Sequence, residues 1–253
     1  KLLQGTASLE FWPTFENQEI FPYLQQANVA LKDYLAELSD TVSSDSAAVA
    51  EPAAAADSTA SDDILAQAIA ADSTSDASLE QFRKESPLFA VLNPMYYQGQ
   101  IAPGACIGMA HYKDTAKINQ YFAIPAIRRI FPAEFVPMWT VKASDRDASG
   151  IYFELVAIKK GTRDGKAPLD GGAVTDASVA YGNTGASPMV DMAMNAEGSR
   201  IWARLTADNL GKQIAVVLDG MVYSYPTVQS EITGGRSQIT GHFTVEEATD
   251  LAN

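Results

Sequence analysis

The sequence predicts an α+β fold: an antiparallel or mixed sheet with helices packed on one face. Three observations carry this. Residues 189–253 run in the order strand, helix, strand, strand, strand, helix. An Asp219-Gly220 pair separates two apolar runs, Ile214 to Leu218 and Met221 to Tyr225, which is the pattern of a two-residue hairpin. Apolar residues repeat with period two in the strand candidates and at multiples near 3.6 in the helix candidates.

From the N-terminus, Thr6 to Trp12 reads as a strand, with Ala7, Leu9 and Phe11 on one face and Ser8 and Glu10 on the other. Ile20 to Leu38 is helical, its stripe formed by Leu24, Leu31, Leu35 and Leu38. From about 39 to 78 the chain is dominated by Ala, Ser, Asp and Thr. Too little there can be buried to offset chain entropy, so a flexible linker is expected, with one helical turn near Ile64 to Ile69. An ordered α+β block follows at about 87–160. Phe89 to Leu92 and Ala105 to Tyr112 read as strands. Asp114 or Thr115 caps a helix that reaches Phe131 and stops at Pro132. Phe135 to Ala143 and Ile151 to Lys159 form an antiparallel pair across the polar loop 144–147.

The last segment, 161–253, is the most regular. Met189 to Met194 alternates as a strand, with Val190, Met192 and Met194 on one face. Asn195 suits the N-cap of the next helix, Gly211 its left-handed stop, and Ile201, Trp202 and Leu205 its buried stripe. Asp219 and Gly220 form the hairpin turn, Pro226 ends the second strand, and Gly234-Gly235 turns the chain into a strand from Gln238 to Phe243. Thr244 and Glu247 make a capping box for a terminal helix.

Composition narrows the function. Asp and Glu outnumber Lys and Arg 31 to 18, a net charge of −13, which repels phosphate backbones and anionic lipid heads. No nucleic-acid partner is expected. The single Cys106 lies in Gly-Ala-Cys-Ile-Gly with no neighbouring base, the setting of an inert buried thiol. No apolar run reaches the roughly 18–20 residues of a membrane-spanning helix. The chain starts at Lys1 in mid-pattern, as an excised piece of a longer protein would.

Catalytic and metal patterns are missing. His111 and His242 have no partner at metal spacing, and neither HExxH nor GxSxG occurs. Gly161 to Ala167 mimics a phosphate loop but is one residue short and ends in Ala. Glu246-Glu247 suits a helix start rather than an acid pair. No catalytic residue, metal or cofactor is expected. Two other readings remain to be weighed: a hydrolase of glycans or peptides working with Asp and Glu alone, and a solute-binding or adhesion module.

The phrases Val174 to Ala177, Asn195 to Ser199, Leu205 to Lys212, Ile214 to Gly220, Pro226, Ile232 to Gly235, Ile239 to Gly241 and Phe243 to Ala248 occur in an order and spacing that resembles the SecD family. The resemblance is to the head of its first extracytoplasmic (P1) domain. Leu2 to Phe11 resembles the last helix turn and strand of the ferredoxin-like base that carries that head. The resemblance implies the division 1–16, remnant of the base; 17–160, a long insertion; and 161–253, the head core. The N-terminal strand would then either dock onto the head or be poorly paired. It further implies a membrane-anchored protein of the inner membrane with this domain on the periplasmic side. There it would work with SecF and the SecYEG translocon, driven by the proton gradient, and engage unfolded preprotein without being an enzyme. A weak, promiscuous grip calls for soft apolar contacts. Met189, Met192, Met194, Tyr223 and Tyr225 are the substrate-contact candidates, set against the plainer expectation that they pack a core.

Overall fold

The computed structural model describes residues 8–43, 76–161, 165–181 and 188–239. Among them the helices are α1 (Asn17–Ser43), α2 (Asp76–Glu85), α3 (Thr115–Ala123), α4 (Pro125–Arg128) and α5 (Ala196–Asp208). The strands are β1 (Leu9–Pro13), β2 (Asn93–Pro94), β3 (Tyr96–Tyr97), β4 (Gln100–Ile101), β5 (Cys106–His111), β6 (Phe135–Ala143) and β7 (Tyr152–Lys159), followed by β8 (Leu169–Asp170), β9 (Val174–Tyr181), β10 (Pro188–Met194), β11 (Ile214–Leu218), β12 (Met221–Ser224) and β13 (Arg236–Ile239). The architecture is mixed α+β.

The main sheet runs β2-β5-β7-β6-β12-β11-β1-β8 and is antiparallel except at β6–β12, where Val222 pairs in parallel with Thr140. This sheet also meets itself. Thr14, just past β1, bridges Ile158 of β7, and Phe15 N–H donates to the Ala157 carbonyl at 2.9 Å. Strands β7, β6, β12, β11 and β1 therefore close a small barrel, with β5 splaying away at the other end of β7. Because side chains alternate across a strand, one set from each of these strands points inward. Trp12, Val156, Ile158, Ala215, Val217 and Val222 fill the interior, with Ala105 plugging it.

The strand at the N-terminus docks rather than dangling. β1 lies between β11 and β8, with Leu9 opposite Leu218 and Pro13 opposite Ile214. Both of its faces are covered, which departs from the half-exposed alternation read from the sequence: Trp12 faces the barrel and Phe11 faces a second core.

The helices do not all share one face, as the sequence reading had them. α1, α3 and α4 cover the outside of β5, β6 and β7, burying Leu24, Leu31, Ile118, Phe122 and Phe135. α5 lies elsewhere, in the core that joins β1 and β11 to a separate three-stranded sheet, β13-β10-β9. The closed sheet is the reason, since a barrel presents an outer surface in every direction.

Several local readings change. The stretch read as a linker is helical at both ends, because α1 continues to Ser43 and α2 begins at Asp76; the turn expected near 64–69 lies outside the described residues. Phe89 to Leu92 is no strand but a helical turn, with Ala90 N–H bonded to the Ser86 carbonyl and Leu92 N–H to that of Leu88. Its burial of Leu88, Phe89 and Leu92 follows helical spacing. The helix expected to reach Phe131 breaks at Ile124, whose ψ of 123° is what a residue before proline prefers. Neither Asp114 nor Thr115 caps it by side chain at the N-cap; Thr115 Oγ1 instead donates to the Tyr112 carbonyl. The capping box at 244–247, the strand beyond Ile239 and His242 lie outside the described residues.

Candidate functional site

The five contact candidates occupy three different environments. Met192 and Met194 are 4% and 9% exposed and pack with Val190, Trp202 and Leu205 under α5. Phe11 meets the Trp202 ring edge-on at 5.3 Å. On this face Met192 and Met194 pack as core residues. Met189, one residue out of phase, is half-buried. Tyr223 is also half-buried.

Tyr225 belongs to a buried polar cluster that the sequence reading missed. Glu154 is 7% exposed and lies in the inward-facing row of β7 with Val156 and Ile158, at one end of the barrel. One carboxylate oxygen accepts from Ser144 Oγ, the other from the Tyr225 hydroxyl. Its backbone N–H donates to Thr140 Oγ1 at 3.1 Å, and Thr140 in turn donates to the Lys142 carbonyl. Burial pushes the Tyr225 phenol far above its ordinary range, and the charges of Cys106 and Glu154 add to the effect. Burial likewise pushes the Cys106 thiol up to about 12, with Glu154 contributing. Cys106 Sγ donates to the Gly108 carbonyl at 3.5 Å. The thiol stays protonated and unreactive at neutral pH. The signal in the sequence was a single acid at an inward position of the run Tyr152 to Ile158.

The turns are built from residues that their geometry requires. Asp219 and Gly220 have φ of 51° and 80°, the left-handed pair of a type I′ hairpin. Asp219 Oδ1 also accepts from Ser8 N–H at 2.9 Å, tying the hairpin to the start of β1. The Pro226 carbonyl accepts from Ile214 N–H after β12 has ended at Ser224. Gly235, with φ of 62°, presses against α5, where a Cβ would run into Ser199 Oγ; Gly234 faces open space. Gly198 is equally constrained, since a Cβ there would sit 2.7 Å from Ala173 Cβ. The Asn195 side chain accepts from Gly198 N–H at 2.8 Å and so caps α5.

Elsewhere Asp147 organises the loop between β6 and β7. The Ser149 hydroxyl, followed by the backbone N–H groups of Tyr152, Ser149 and Ile151, holds its carboxyl well below the usual range. His111 stacks on Tyr112 at 4.6 Å, and its Nδ1 accepts from Lys113 N–H. Among the described residues no three His, Cys, Asp or Glu side chains are grouped to hold a metal, and no helix is long and apolar enough to cross a membrane.

Comparison with known proteins agrees with the resemblance read from the sequence. Residues 155–253 match the model of the SecDF P1 head subdomain. The protein translocase subunit SecD of Rhodothermus marinus is 35% identical over 253 residues, 99% of this chain and 36% of that protein. SecD of Dictyoglomus turgidum is 47% identical over 88 residues, 35% of this chain and 22% of its own. The chain thus spans about a third or less of these relatives. Among solved structures, the crystal structure of SecDF from Thermus is 37% identical over 34% of this chain and 12% of its own, with a TM-score of 0.30. Another SecDF structure covers 97% of this chain and 90% of its own at 21% identity and a TM-score of 0.32. Over 99% of its length the chain is thus similar to a SecD protein translocase subunit, and its residues 155–253 match the SecDF P1 head subdomain.

Proposed function

We propose that this chain is the periplasmic P1 portion of a SecD subunit anchored in the inner membrane. It engages unfolded preprotein emerging from the SecYEG translocon and, with SecF, assists export driven by the proton gradient. In this reading residues 161–253 form the head core, 17–160 are an insertion with the 39–78 linker, and 1–16 derive from a ferredoxin-like base. It makes and breaks no bonds and needs no cofactor.

The observation that carries this reading is the match of residues 155–253 to the P1 head. Two surface features support it. Met189, in β10 of the three-stranded sheet, and Tyr223, in β12 of the main sheet, are each accessible in part, and soft or aromatic side chains suit a ligand of changing sequence. The test is photo-crosslinking in membrane vesicles carrying the full-length protein, with benzophenone at position 189 or 223 and an export substrate arrested in transit. Adducts with the arrested chain are expected. Vesicles that export normally yet give no adduct from either position would overturn the reading.

A further inference from the structure

We propose that the outer edge of β9 takes up an extended, unfolded polypeptide as an added β-strand. This rests on the preprotein-engaging reading above and names the place and mode of that engagement.

The argument starts from backbone chemistry. A strand at the end of a sheet leaves the N–H and C=O groups of alternate residues unpaired, and another extended chain is their natural complement. Among the described residues six strands end a sheet on one side. β2, β3, β4 and β8 have two residues each and β13 has four, so these edges offer little. β9 has eight. It pairs with β10 without interruption from Tyr181↔Pro188 to Asp176↔Ala193, and the ladder shifts register only at its far end. The strand is therefore held straight by one partner while its opposite edge has none among the described residues.

The usual defences of a long edge are Pro, Lys, inward charges or a central bulge. Val174-Thr175-Asp176-Ala177-Ser178-Val179-Ala180-Tyr181 contains no Pro and no Lys, and no bulge interrupts its middle. Val174, Ala177 and Val179 pack toward the core that also holds Trp202, whereas Thr175, Asp176 and Ser178 are exposed. These exposed side chains are short, so they do not obstruct those of a neighbouring strand. Asp176 is the single charge along the strand, and within a chain of net charge −13 it favours apolar or basic segments over acidic ones. Main-chain pairing reads conformation and not sequence, which suits a site that must accept many chains.

The experiment uses the 253-residue chain with two ten-residue Val/Thr peptides, one plain and one N-methylated at alternate residues along one edge. Methylation removes strand donors and leaves composition almost unchanged. The plain peptide is expected to bind, and the methylated one to bind at least about tenfold more weakly. In hydrogen exchange, alternate β9 amides that exchange fast in the free chain should become slow with the plain peptide. Equal binding of both peptides, or protection confined to other strands, overturns the edge assignment but leaves the engagement reading standing. No binding of either peptide, or of a reduced unfolded protein, removes both. Slow exchange along all of β9 in a peptide-free dimer, seen by sedimentation, would mean that the edge serves a second copy instead, and would also overturn the proposal.

Discussion

Glu154 shows how much one side chain can anchor. It lies at the end of the barrel interior and receives hydrogen bonds from Ser144 on one side and Tyr225 on the other. It thereby ties the loop after β6 to the segment after β12, two stretches far apart in sequence. A buried donor left without its acceptor costs about 1–3 kcal/mol. Glu154→Ala should therefore lower stability by at least about that much, and Tyr225→Phe should do likewise by leaving a carboxylate oxygen unsatisfied. Because the two residues share one bond, their effects should be clearly less than additive in the double variant. Denaturant melts of the four proteins check this; strictly additive losses would mean that the bond is not made. Cys106 feels the same environment with a definite sign. Its unfolded thiol ionises near about 8.5, whereas the folded one does so near 12. The native state thus retains a proton that the unfolded state releases, and this group weakens the fold as pH rises through that window.

At the level of elements, the β11–β12 hairpin was the most legible feature, because the Asp-Gly signal is local and needs no partner beyond two residues. Gly220→Val should destabilise the chain by about 1–2 kcal/mol, since a β-branched residue resists a φ of 80°. An unchanged melting temperature would refute the turn. The N-cap at Asn195 and the stripe of α5 were legible for the same reason: capping and periodicity are written within a dozen residues. Phe89 to Leu92 was not. Four apolar residues fit a strand or one helical turn equally well, and the choice was made by distant groups, including Asn28 Oδ1, which accepts from Leu88 N–H at 3.0 Å. The break at Ile124 was missed because Pro132 looked like the stop, although Pro125 already restricts the residue before it. Of the candidate site, the turn residues could be read, but the depth of Met192 and Met194 could not. Alternation states which residues share a face and not what covers it.

Across the whole molecule the closed barrel was invisible to sequence reasoning, because closure depends on β1 reaching both β11 and β7 from the other end of the chain. Its interior is correspondingly sensitive. Trp12 is fully buried there, with Nε1 donating to Glu10 Oε2 at 2.7 Å, and Trp12→Ala should cost about 3–5 kcal/mol in a denaturant melt. A loss below about 1 kcal/mol would mean that the barrel does not rely on that ring. The arrangement of β1 also bears on biosynthesis. Ser8 and Asp219 are bonded across 211 positions. During synthesis Phe11 and Trp12 therefore stay without the partners of β11 until the chain has been made past Leu218. Such distant pairing slows maturation and prolongs exposure to aggregation. A segment that waits this long for its mates is open to wrong pairing while it waits.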